Sequence, residues 1–136
     1  MQQEAPKGTR IAHIGLAVKS ISASLPLLTG ILGLRQEEIS DSDGARIAAV
    51  KAGESLVELL EPEGDNTPIG KFIAKRGPGI HHVCFAVDDL DGTLEKCRAA
   101  GIRLIDDEPR IGAEGKRIAF LHPSSTEGIL VELSEY

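Results

Sequence analysis

The chain has few cysteines, no long apolar run and no excess of positive charge, and each shortage removes a class of function. Two cysteines in 136 residues, Cys84 and Cys97, are too few for a disulfide scaffold and stand in no CxxC or Cys/His spacing. Two ordinary packed thiols in a reducing compartment, the cytoplasm, are expected. The most apolar stretch, LPLLTGILGL, is interrupted by Pro26, Gly30 and Gly33 and is too short for a membrane span. The N-terminal MQQEAPKGTR lacks the apolar core of a signal peptide and reads as a short lead-in. A net charge of −6 argues against nucleic acid, which wants a basic face to displace phosphate counterions. What remains is 41% apolar residues in a length that suits one soluble domain.

Within that length the chain repeats itself. IAHIGLAV (11–18) resembles IHHVCFAV (80–87), with His13 falling on His82; SLVELLE (55–61) resembles ILVELSE (129–135), with Glu58 falling on Glu132. The offsets are 69 (82 − 13) and 74 (132 − 58), and a five-residue difference is what loop-length variation produces. Each copy reads as strand, helix and three strands.

In the first copy a strand over 11–18 leads to a helix capped by Ser20 or Ser22, running through Leu25–Leu32 and stopping near Gly33, with Pro26 tolerated early in it. Strands follow at about 34–40, 45–52 and 55–61, with turn signals at Asp43-Gly44 and Ala52-Gly53. In the second, Asp88 or Asp89 caps a helix whose Leu90, Leu94 and Cys97 keep helical spacing and which Gly101 closes. Strands are expected at about 102–107, 115–121 and 128–135. TPIGKFIAKRG reads as a linker helix with Pro68 in its first turn. The fold class is therefore α+β: one domain over 9–135, made of module one (about 9–62), a linker helix (about 66–76) and module two (about 79–135).

Strand alternation then groups side chains. His13, Gly15 and Ala17 share one face of their strand, and Ile14, Leu16 and Val18 the other; His82, Cys84 and Ala86 repeat the first set. The bulky face should pack under helices, and the face of histidine and small residues leaves room for a ligand. A carboxylate between bulky neighbours in mid-strand is costly to bury unpaired. Two such carboxylates and two such histidines explain one another if His13, Glu58, His82 and Glu132 converge on one divalent cation (Co, Mn, Ni, Fe or Zn) with positions left open for substrate oxygens. A lone strand histidine is usually a packing residue and a lone glutamate usually solvated. It is the repetition that favours the metal.

These segments, with DNTPIGKFIAKRGPGIHHVCFAV and DEPRIGAEGKRIAFLHP, resemble the methylmalonyl-CoA epimerase family of the vicinal oxygen chelate (glyoxalase/bleomycin resistance/dioxygenase) superfamily over about residues 9–135. The resemblance implies two tandem βαβββ modules in a curved mixed sheet around a metal, with cobalt favoured, and a cytoplasmic homodimer serving propionate metabolism. It implies interconversion of (2R)- and (2S)-methylmalonyl-CoA by removal and return of the α-proton through a metal-stabilised enolate. The four ligand positions fall on His13, Glu58, His82 and Glu132, and Glu132 also matches a proposed acid/base. Some epimerases carry a second glutamate three residues beyond a glycine. Aligned on Gly44 that position is Ile47, which transfers no proton, so the opposite-face base is unassigned; the nearby acids Glu37, Glu38, Asp41 and Asp43 read as solvated. Family members usually have aromatics in the first helix where this chain has Leu27 and Leu28, read as exchanges within the core.

Lys116 and Arg117, beside the GAEGK turn, are candidates for coenzyme A phosphates, and Gly112 and Gly115 are assigned to the turn itself. His122 either lines the pocket or serves a turn before Pro123, and His81 should point away from His82 and pack. The competing readings are a glyoxalase I-like lyase acting on a glutathione adduct with the same ligands, and an antibiotic-sequestering protein of the same fold.

Overall fold

The computed structural model describes residues 8–136, apart from the side chains at 38 and 39. Most of the expected lead-in (residues 1–7) and the side chain of Glu38 lie outside the described residues. The chain forms two compact units, residues 12–83, and residues 84–136 with the segment ending at Ile11.

In the 12–83 unit, β1 (Arg10–Ala17) enters the sheet, followed by a helix, then β2 (Arg35–Ser42), β3 (Ala45–Ala52) and β4 (Ser55–Pro62). The strand order is β2-β3-β4-β1, with β1 parallel to β4 and the other pairs antiparallel, a mixed sheet. The β2–β3 turn is Asp43-Gly44, both at positive φ (52° and 79°) as a tight hairpin needs. Ser20 caps α1 (Ile21–Leu25), its hydroxyl accepting from the Ala23 N–H at 3.1 Å.

By sequence Pro26 sits early enough in the first helix to be tolerated; it follows five helical residues and ends the regular α-helix. Proline has no N–H for the carbonyl four residues back, and its ring crowds that carbonyl. The chain accordingly widens into a π-turn over Pro26–Ile31, with the Leu32 N–H reaching the Leu27 carbonyl at 2.9 Å. Of the two leucines assigned to the core there, Leu28 packs against the α1 cluster but Leu27 is 54% exposed.

The two sheet faces differ as alternation requires. Leu16, Val18, Val57, Leu59 and Ala48 pack with Ile21, Leu25 and Leu28 of the first helix. The opposite face carries His13, Gly15 and Ala17 on β1, in register with Leu56, Glu58 and Leu60 on β4, which continue to Lys51, Ala49 and Ile47 on β3. Helix α2 (Pro68–Arg76), capped by Thr67, covers its Ala17–Ile47–Leu60 end through Ile69, Phe72 and Ile73.

β5 (Gly79–Val87) leads into the 84–136 unit. There Asp89 caps α3 (Leu90–Ala99), accepting from Gly92 N–H at 3.0 Å, and Gly101 at φ 81° ends it. Leu90 and Leu94 are fully buried against Val87, Ala119, Leu121 and Leu133. The strand order is β8-β7-β6, from β6 (Arg110–Ile111), β7 (Arg117–Leu121) and β8 (Val131–Glu135).

The strand expected at 102–107 does not form as a regular strand. Its segment follows β7, but the N–H groups of Ile105 and Asp106 both point at the Phe120 carbonyl, and the Phe120 N–H donates to the Asp106 carboxylate at 2.8 Å. A side chain has replaced a backbone acceptor, so the ladder is reduced to one bridge, Leu104 with Leu121. No described helix is long and apolar enough to cross a membrane.

Candidate metal centre

His13, Glu58 and His82 come together within the 12–83 unit, one potential donor atom from each lying within 4.8 Å of the others. All three are buried, at 5, 4 and 7% exposure. His13 Nε2 stands 3.0 Å from His82 Nε2 and 3.4 Å from Glu58 Oε1, with the two rings edge to face at 88°.

Small residues make the room. Glu58 is flanked across the sheet by Gly15 on β1 and Ala49 on β3, so both residues directly opposite it are small. Gly15 has a stricter duty. A Cβ there would sit 2.3 Å from Cε1 and 2.6 Å from Nδ1 of His82, so the His82 ring lies directly on the glycine backbone.

This donor set fits a divalent cation. Two imidazole nitrogens and a carboxylate oxygen, all buried, face each other, the imidazoles at hydrogen-bond distance and the carboxylate at a longer 3.4 Å. Ligands about 2.1 Å from a cation stand about 3.0 Å apart in octahedral and about 3.4 Å apart in tetrahedral geometry. The observed 3.0 and 3.4 Å are of the size that donors sharing one cation require. A buried carboxylate between apolar strands is otherwise expensive.

Glu132 belongs to the 84–136 unit. It lies on β8 opposite Phe120, is 6% exposed, and has a carboxylate oxygen within 4.8 Å of the buried Cys84 thiol. Ile47 is 8% exposed, on the face that carries Glu58, inside the apolar cluster of Ala17, Ala45, Leu60 and Ile69.

Of the substrate-side candidates, Lys116 is exposed in the turn whose Gly112 N–H donates to its carbonyl. The turn glycines serve it as expected: Gly115 has φ 78°, and a Cβ at Gly112 would meet Ile118 at 2.8 Å. Arg117 is held by Glu135 at 3.0 Å and Asp91 at 3.1 Å, which push its guanidinium pKa up, the Glu135 hydrogen bond most. His122 caps a 3₁₀ turn, its Nδ1 accepting from the Ser124 N–H at 3.0 Å.

Sequence reasoning missed three contacts. His81 packs edge-on against Phe72 as expected, yet its Nδ1 also lies 2.9 Å from His82 Nδ1. The other two concern the last strand of each sequence repeat, β4 and β8. Glu61 accepts from the Ile21 N–H at 2.7 Å, and Glu135 from the Leu90 N–H at 3.1 Å, so each carboxylate binds the first residue of its own repeat's helix. The signal was present, since Glu61 and Glu135 are the final letters of SLVELLE and ILVELSE.

Comparison with known proteins places the chain. Residues 12–120 match the model of the Glyoxalase/Bleomycin resistance protein/Dioxygenase superfamily. The mitochondrial methylmalonyl-CoA epimerase of Dictyostelium discoideum is 36% identical over 129 residues, 93% of this chain and 78% of that protein. A hypothetical protein from Bacillus halodurans superposes with a TM-score of 0.91 at 42% identity, covering 96% of both chains. A Streptomyces coelicolor methylmalonyl-CoA epimerase variant in complex with 2-nitronate-propionyl-CoA superposes with a TM-score of 0.87 at 36% identity, covering 95% of each. The α+β architecture is the vicinal oxygen chelate fold, and the chain belongs to the glyoxalase/bleomycin resistance protein/dioxygenase superfamily and, within it, to the family of the methylmalonyl-CoA epimerases.

Proposed function

We propose that this chain is a divalent-metal-dependent epimerase of methylmalonyl-CoA. The observation that carries the reading is the buried convergence of His13, Glu58 and His82, a donor set with no apolar purpose. The same face is small at Gly15 and Ala49, where a substrate would need space.

In this reading His13, Glu58 and His82 hold the cation, and the sequence repeat gives Glu132 the part that Glu58 plays. Such a cation, cobalt by family resemblance, would supply Lewis acidity to the thioester carbonyl oxygen, where negative charge develops as the α-proton leaves, and would offset the charge already on the substrate carboxylate. Glu132, buried among apolar β8 neighbours, removes and returns that proton. The nitronate in the Streptomyces complex supports the substrate class, because a nitronate carries its charge in a plane as an enolate does. Lys116, exposed beside a glycine turn, meets the coenzyme A phosphates; Arg117 and His122 shape that region through the contacts they already make. The protein is proposed to act as a homodimer, the commonest closed assembly.

Ile47 bears on the outcome. An isoleucine in an apolar cluster carries no proton, so the reading leaves one assigned base, Glu132. The test is α-proton exchange of (2S)-methylmalonyl-CoA in deuterated water with metal-loaded protein, followed by NMR together with conversion to the (2R) form. Exchange with inversion is expected, lost on stripping with EDTA and reduced by about 10²–10⁴-fold in Glu132→Gln. Exchange without inversion would reduce the assignment to one-faced proton transfer. No exchange with any divalent metal would overturn it and bring forward a glutathione-adduct lyase or a sequestering protein.

A further inference from the structure

We propose that His81 is a positioning residue that fixes the ring orientation and the proton of His82; this rests on the metal reading above. Consecutive strand residues point to opposite faces. Yet the Nδ1 atoms of His81 and His82 lie 2.9 Å apart, with the rings at 88° and centroids separated by 5.2 Å.

The His82 ring is thereby held at three places. The Gly15 backbone lies against its Nδ1–Cε1–Nε2 side, His81 holds Nδ1, and Nε2 faces His13 Nε2 at 3.0 Å. His81 is itself propped by Phe72, edge-on at 5.0 Å between centroids.

Proton counting gives the contact its meaning. Two ring nitrogens 2.9 Å apart need one N–H between them. For His82 to offer its Nε2 lone pair to a cation, its proton must sit on Nδ1. His81 Nδ1 then accepts, and the His81 proton resides on Nε2. The reverse arrangement would put the His82 proton on Nε2 and block the ligand atom. Metal-binding histidines commonly give their second N–H to a carboxylate, carbonyl or water that orients them. Here a neighbouring imidazole takes that place.

The test compares two variants of the full chain by zinc affinity, measured by competition with a chromogenic chelator. His81→Phe keeps a ring against Phe72 and removes the acceptor. His81→Asn returns an acceptor, because Oδ1 stands one bond beyond Cγ as Nδ1 does. His81→Phe should weaken zinc binding by about 10–100-fold, with His81→Asn within about 3-fold of the unaltered protein. Equal affinity in His81→Phe, or equal losses in both variants, would overturn the proposal. Nitrogen-15 NMR of the zinc-loaded unaltered protein carries the test if His81→Phe fails to fold. A protonated, hydrogen-bonded Nδ1 on His82 is expected, and a bare Nδ1 overturns the assignment. If the unaltered protein binds no divalent ion, the metal reading falls and this inference with it. If it binds and the variants match it, only this inference falls.

Discussion

The two units share a frame and differ in what they put on it. The offset of 69 residues that carries His13 to His82 also carries the cap Ser20 to Asp89, and Ile21, Leu25 and Leu28 to Leu90, Leu94 and Cys97. Helices α1 and α3 are each capped by the side chain before them and receive a carboxylate from the last strand of their sequence repeat, β4 or β8. At the same offset, however, Pro26 meets Glu95 and Gly15 meets Cys84. The first exchange turns one helix into a π-turn and leaves the other regular. The second gives one strand a bare backbone under an imidazole and the other a buried thiol. What has to be alike is the packing frame; what has diverged is where the chain makes room.

Exchanging the helix residues should have the largest effect. Glu95 lies inside α3, so Glu95→Pro removes an interior N–H and drives a ring against the carbonyl four residues earlier. A loss of about 3 kcal/mol or more is expected in urea unfolding. Pro26→Ala, which restores an N–H to a helix already adapted to its absence, should change stability by less than about 1 kcal/mol. Equal effects would mean that α1 and α3 are not equivalent parts of one frame.

Gly15 comes next. Gly15→Ala places a methyl inside the His82 ring position and must displace the ring. Zinc affinity should fall by about 100-fold or more, beyond the usual loss for an orienting residue. Cys84→Ala, at the matching position, should cost about 1 kcal/mol of stability through lost packing and leave affinity within a few-fold. Unchanged zinc binding in Gly15→Ala would remove His82 from the ligand set.

Much of this was legible because it is periodic. The repeat singled out His13, Glu58 and His82, which converge, and Glu132, which is buried on β8; alternation put His13, Gly15 and Glu58 on the face that α1 does not cover. Residues 102–107 failed as a regular strand because the competing acceptor is a side chain, Asp106, that no apolar pattern reveals. Pro26 ends the regular helix because Ser20, one of the two caps the sequence offers, starts it far enough upstream to put the proline beyond its first turn. The His81–His82 contact was out of reach, since alternation predicts the opposite and only the local turning of both rings brings Nδ1 to Nδ1.

The smallest effect concerns Cys97, which stands where the first helix has Leu28 and packs against the α3 cluster as Leu28 packs against its own. Burial pushes the Cys97 thiol above its ordinary value of 9.0, with Arg98 opposing. A group raised in the folded state contributes stability that is present below its unfolded pKa and lost as pH climbs through the folded one. Folding stability should therefore decline slightly as pH rises past that ordinary value, and the folded protein should be alkylated at Cys97 more slowly than the urea-unfolded chain. Cys97→Leu, which imports the other unit's residue, removes the titrating group and should flatten that decline. If the slope survives the substitution, the alkaline loss arises elsewhere, and Cys97 is held by packing in the way Leu28 is, with no consequence for its proton.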